Sequence, residues 1–89
     1  LTLSLAAELA PKVRVNAIAP SLTNTPLAQS ILANTKITSA VTELHPLKKL
    51  GTSADIANLA AYLISEDAGW ITGQIFNIDG GRSTLRPNG

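Results

Sequence analysis

Two short strand-like runs, far apart in the sequence, constrain this chain more than any other feature. Residues 13–19, VRVNAIA, put Val13, Val15, Ala17 and Ala19 on one face and Arg14, Asn16 and Ile18 on the other. The second face is small and mixed, which suits a strand covered on both sides. Residues 71–81, ITGQIFNIDGG, read as a second strand with Ile75 or Phe76 at its heart and a glycine turn at Gly80–Gly81. What lies between them has helical character. Strands joined by so long a helical crossover pair in parallel, with a right-handed connection. Pro20 has no N–H for a ladder, so it ends the first strand. The predicted order is helix, strand, two weak helices, strong helix, strand.

The strong helix follows Gly51. Thr52 is a good N-cap, and Asp55 stands three residues later as the acid of a capping box. Ile56, Leu59, Ala60, Leu63 and Ile64 then form one apolar stripe. The SEDAG segment closes it, with Glu66 and Asp67 as a solvated helix end. At the front of the chain, Leu1, Leu5, Ala6 and Leu9 recur at helical spacing until Pro11. That pattern is already running at Leu1, with no capping residue or first turn before it to serve the first four N–H groups. The sequence therefore reads as a stretch from the middle of a longer polypeptide. After Pro20, a Ser/Thr/Asn-rich loop leads to Thr25–Pro26, an N-cap followed by proline at the first helical position. The PLAQSILAN and TSAVTELH segments then make a polar, loosely patterned excursion with the character of a lid.

Composition narrows the functional classes. Hydrophobic residues make up 45% of the 89, enough for a core built from Leu, Ile, Val and Ala. A domain this short buries about 60–65% of its unfolded surface, so its flanks need cover. Seven basic and six acidic residues are spread along the chain with no basic patch, which argues against nucleic acid or an anionic membrane surface. No apolar run approaches the length of a membrane span. The absence of cysteine removes disulfides and thiolate metal sites, and fits a reducing, cytoplasmic setting. With one histidine and scattered carboxylates, no metal site is expected. His45 is assigned an exposed or helix-end structural role, and Asp79–Gly80–Gly81 a tight turn. Neither G-x-G-x-x-G nor G-x-x-x-x-G-K-[ST] occurs. Residues 1–89 amount to at most one domain and read as the C-terminal part of one, with 84–89 as a polar tail.

Longer patterns go further. LTLSLAAELAPKVRVNAIAPSLTNTPL resembles the stretch that follows the active-site helix in short-chain dehydrogenases/reductases, with its A-x-E-x-A-P-x-x-I-R-V-N-x-(I/V)-x-P-G-x-x-x-T pattern. HPLKKLGTSADIANLAAYLISEDAGWITGQIFNIDGG resembles that family's C-terminal run, through T-G-x-x-x-x-[IV]-D-G-G. The two regions cover nearly all of residues 1–83 in order. The resemblance implies an α/β fold: the C-terminal portion of a Rossmann-type doubly wound parallel sheet. It implies an NAD(P)-dependent oxidoreductase that interconverts an alcohol and a carbonyl by hydride transfer, with NAD or NADP as cofactor. It also implies a small-molecule substrate and a homo-oligomeric parent, a tetramer or dimer. Pro20, Ser21, Leu22, Thr23 and Thr25 fall in the loop that meets the nicotinamide half of the cofactor. There the backbone of Thr23 would grip the carboxamide, and the Thr25 hydroxyl would bond the carboxamide or pyrophosphate. From the residues alone, Thr25 is simply an N-cap and Thr23 a loop residue.

The sequence departs from the family pattern in four places. Ser21 replaces a usual glycine, which strains the loop if that position needs a positive φ. Thr23 replaces Ile or Val, Lys49 replaces Arg, and Ser53 replaces Pro. The family's catalytic serine and Y-x-x-x-K cannot be assigned: the sole tyrosine, Tyr62, has Glu66 in the lysine position. By the family's spacing that motif falls upstream of Leu1, so no catalytic residue is named within the 89. A second reading stays open, a separate non-catalytic binding or oligomerisation module with no redox activity.

Overall fold

A computed structural model of the chain describes residues 1–86; the last three positions of the polar tail lie outside the described residues. The elements run α1 (Thr2–Leu9), β1 (Ala17–Pro20), β2 (Thr23–Asn24), a 3-10 turn (Pro26–Ala28), α2 (Gln29–Leu32), α3 (Thr35–Glu43), β3 (Gly51–Thr52), α4 (Ser53–Ile64), a second 3-10 turn (Glu66–Ala68) and β4 (Ile75–Ile78). β1 and β4 pair in parallel, with Ala17 opposite Ile75 and Pro20 opposite Ile78. The long helical crossover thus does what its length requires. A second parallel pair, β2 with β3, aligns Thr23 with Gly51 and Asn24 with Thr52. It was not anticipated, because two residues carry no readable period.

The strands are shorter than their sequence runs. Val13 to Asn16 are not in β1. The Val15 amide donates to the Thr72 hydroxyl at 3.0 Å, and the Gly73 amide donates to the Val15 carbonyl at 2.8 Å. Side-chain bonds are mixed with backbone ones here. Asn16 donates through Nδ2 to the Ile71 carbonyl and accepts the Gln74 amide on Oδ1. Gly73, at φ 70°, keeps β4 from starting at Ile71. Arg14 reaches further. Its guanidinium donates to the carbonyls of Leu63 at 2.8 Å, Ser65 at 3.2 Å and Ile71 at 3.3 Å. Carbonyls at the end of a helix have no intrahelical donor, and a cation there also opposes the negative end of the helix dipole. Arg14 therefore serves as the side-chain cap for α4, delivered from another element.

At its other end α4 is capped as its sequence foretells. The Thr52 hydroxyl accepts the Asp55 amide at 3.2 Å, and Asp55 Oδ2 accepts the Thr52 amide at 2.8 Å. The Thr52 amide first, and then the Thr52 side chain, hold the Asp55 carboxyl below its usual range, and Lys49 adds to the effect. The stripe is less even than its spacing suggests. Leu63 is buried and Ile56, Leu59 and Ala60 are half-buried, but Ile64 is 83% exposed.

Cover is what the molecule lacks. Among the described residues only Ala6, Ala28, Leu63 and Ala68 are buried apolar side chains, and Trp70 is 99% exposed. The radius of gyration is 15.8 Å, against about 12 Å for a compact domain of this length. α1 shows the same deficit: it begins without a side-chain cap and buries only Ala6 of its apolar stripe. Among the described residues, no helix is long and apolar enough to cross a membrane.

Candidate functional site

The loop after β1 leaves the carboxyl end of a parallel strand pair, where open α/β sheets bind their ligands. All five residues expected to meet a cofactor lie along it. Pro20 closes β1, Ser21 and Leu22 turn the chain, Thr23 enters β2, and Thr25 precedes the first 3-10 turn. Ser21 and Leu22 line a cavity of about 270 Å³, closed by His45, Leu50, Ile56 and Ile78. Pro20 and Ser21 also border a wider cleft of about 560 Å³, lined as well by Asn77, Arg82 and Arg86.

The side chains of this loop are used unequally. The Thr23 hydroxyl donates to the Ser21 carbonyl at 3.0 Å, tightening the turn. Thr25 stands at the N-cap position in extended conformation, yet its hydroxyl makes no capping bond; its carbonyl accepts the Ala28 amide instead. The N-cap expectation holds for position and fails for the side chain. The strain feared at Ser21 is absent. Among the described residues the one non-glycine with a positive φ is Lys48, at 56°. The loop accepts a Cβ at Ser21 without leaving ordinary backbone space.

The largest revision concerns His45. It is not exposed: at 2% it is the most deeply buried polar side chain described. The helix-end half of its expected role is right. Nδ1 lies 2.8 Å from the Val41 carbonyl in the last turn of α3. Nε2 lies 2.9 Å from Ser21 Oγ, across 24 positions of sequence. Nothing local in ELHPL signals that partner. The one available clue was the pairing of a serine at an expected glycine with a lone histidine.

Behind His45 the Asp79–Gly80–Gly81 turn forms as read from sequence, with both glycines at positive φ. Asp79 accepts the Gly81 amide on Oδ1 and the Ser83 amide on Oδ2. A bond from the Ser83 side chain, more than these amides, draws its carboxyl below the usual range; partial desolvation opposes them. The Leu85 amide folds back to the Gly81 carbonyl at 2.8 Å. Tyr62 sits in the last turn of α4, the end opposite the Thr52 cap, and its hydroxyl reaches the Asp67 carbonyl at 3.4 Å. No group of three His, Cys, Asp or Glu side chains that could hold a metal ion occurs among the described residues.

Comparison with known proteins gives this geometry a context. The family model described as enoyl-(acyl carrier protein) reductase matches residues 1–83. The chain is 42% identical over 81 residues to short-chain dehydrogenase/reductase SDRA of Arabidopsis thaliana, covering 91% of this chain and 32% of that protein. A solved 4-hydroxyisoleucine dehydrogenase mutant, complexed with NADH and succinate, superposes with a TM-score of 0.89 at 33% identity. That match covers 97% of this chain and 36% of the other. A 2-deoxy-D-gluconate 3-dehydrogenase candidate from Agrobacterium tumefaciens, with bound NADP, superposes at 0.87 with 38% identity, covering 94% and 35%. The chain thus spans about a third of the length of the relatives it matches, in their Rossmann-type α/β architecture. On sequence and fold together, it belongs to the short-chain dehydrogenase/reductase family.

Proposed function

We propose that these residues form the nicotinamide-side loop and substrate lid of an NAD(P)-dependent oxidoreductase that interconverts a small-molecule alcohol and its carbonyl. One observation carries the reading. The Pro20–Thr25 loop leaves the carboxyl ends of β1 and β4 in a chain that superposes on an NADH-bound dehydrogenase. Three details of the loop fit such a ligand. β2 is paired on one edge only, so backbone N–H and C=O groups on its other edge stand ready for a carboxamide. The Thr25 hydroxyl is not spent on capping the turn beside it. Pro20 and Ser21 border the wide cleft at the strand ends.

In this reading, when NAD or NADP is bound its nicotinamide supplies or accepts the hydride. Pro20, Ser21 and Leu22 shape the bed for the ring. Thr23 matches the donor and acceptor of the carboxamide with its own backbone groups, and the Thr25 hydroxyl adds one further bond. An amide offers one acceptor and one donor pair, which a rigid backbone can meet with little ordering cost. The α2–α3 excursion closes over the substrate and excludes water. The proton-transferring serine, tyrosine and lysine come from outside the 89 residues. The exposed apolar faces are covered by the rest of the sheet and by further copies in a cytoplasmic dimer or tetramer. Those same faces favour the second reading, a binding or oligomerisation module without redox activity, and dinucleotide affinity separates the two.

The test is titration of the natural polypeptide with NADH and NADPH, followed by nucleotide fluorescence. Saturable binding of at least one is expected, with Thr25→Ala weakening it about tenfold through loss of one ligand hydrogen bond. A polypeptide that binds neither dinucleotide would overturn the reading.

A further inference from the structure

His45 and Ser21 meet where three segments of the chain converge. The histidine ring is buried between the end of α3, the loop after β1 and the turn after β4. A Cβ placed on Gly80 would stand 3.6 Å from His45 Cβ, so the ring's base lies against that turn. The Leu47 amide, two residues on, donates to the Gly80 carbonyl at 3.1 Å. The left-handed Lys48 then reverses the chain, and its amide returns to the His45 carbonyl at 2.8 Å.

The chemistry of the two ring contacts fixes the proton. The Val41 carbonyl can only accept, so Nδ1 carries the hydrogen. A neutral imidazole then has its lone pair on Nε2, and Ser21 Oγ must be the donor. The Ser21 carbonyl, meanwhile, accepts from the Thr23 hydroxyl. Ser21 is thus held on both sides, its hydroxyl to the lid and its carbonyl to the next residues of the loop. α2 and α3 bury no side chain of their own, so a polar bond takes the place that apolar packing has in α4. Removing the serine hydroxyl would leave Nε2 buried without a donor, which is costlier than the bond itself.

We infer that Ser21 and His45 are positioning residues: their hydrogen bond latches the end of the α3 lid to the nicotinamide-side loop and sets the backbone of residues 22–25. The proposal rests on the cofactor role given to that loop, but half of its test does not. In the natural polypeptide, Ser21→Ala should speed amide hydrogen exchange at residues 22–25 and 41–45 about tenfold, while the α4 amides stay unchanged. Ser21→Thr, which keeps the hydroxyl, should restore protection. Nitrogen-15 NMR of the ring should show a single Nδ1–H tautomer in the wild type, and in Ser21→Ala the Nε2 resonance should shift as its hydrogen bond is lost. His45→Gln provides a second route should the alanine variant fold poorly, and it should loosen the same two segments. For turnover, Ser21→Ala should raise the dinucleotide KM about tenfold with kcat changed less than threefold, and Ser21→Thr should bring KM back.

Unchanged exchange at 22–25 in Ser21→Ala, or an Nε2–H tautomer in the wild type, would overturn the latch. So would an unaltered KM in an enzyme that does use the cofactor. Should the wild type bind no dinucleotide while exchange and tautomer behave as stated, the latch stands and the oxidoreductase reading falls.

Discussion

α4 and the α2–α3 pair are both helical, and they are held by opposite means. α4 closes its own N-terminus with Thr52 and Asp55, receives Arg14 at its C-terminus, and buries Leu63. α2 has no side-chain cap, and α3 has only Asn34, whose Oδ1 accepts the Lys36 and Ile37 amides. Neither buries a residue. One helix is fixed to the sheet by local code and apolar contact, the other pair by polar bonds, His45 to Ser21 just past α3 and Gln29 of α2 to Asn24. Such a difference suits a frame and a moving part: few apolar contacts mean a low cost of local opening.

The comparison breaks first at the core. Leu63→Ala should cost about 2–5 kcal/mol in denaturant unfolding of the natural polypeptide, and Ile37→Ala in α3 less than about 0.5 kcal/mol. Equal losses would erase the distinction. Arg14 comes next. Arg14→Ala leaves three carbonyls without their charged donor and should cost about 1.5–3 kcal/mol, with Arg14→Lys recovering only part, since one ammonium cannot span three acceptors. A full rescue by lysine would mean that charge, not the planar fork, matters there.

The smallest effect concerns pH. Asp55 has its folded-state pKa lowered, first by the Thr52 amide, so its contribution is present above the unfolded value near pH 4 and fades as pH falls through the lower folded value. Amide exchange in the first turn of α4 should therefore quicken in that acidic window, while α3, capped by a neutral asparagine, shows no matching step. In Asp55→Asn the step should vanish.

Legibility followed locality. The capping box, the β4 glycine turn and the parallel pairing could be read because each is set by neighbouring residues or by crossover length. The β2–β3 pair could not be, nor could Arg14's three acceptors, since their partners lie far away in sequence. His45 shows the limit best. Its helix-end role is local and was legible, whereas its burial depends on Ser21, which no period links to it. Ile64 failed for the converse reason: a stripe predicts a face, and the breadth of that face depends on how much sheet lies opposite. In the candidate site the loop itself was legible as a pattern. The division of labour among Ser21, Thr23 and Thr25 is tertiary and was not.

The register of β1 against β4 also has a consequence for how such a chain comes to be folded. Ala17 sits beside Ile75, a separation of 75 − 17 = 58 positions. Bringing those ends together costs about 3–4 kcal/mol of chain entropy before any ladder bond rewards it. During synthesis β1 must therefore wait, unpaired on that side, until the lid and α4 have been made. The sheet at the floor of the proposed cofactor site thus cannot close before the lid and α4 have been synthesised.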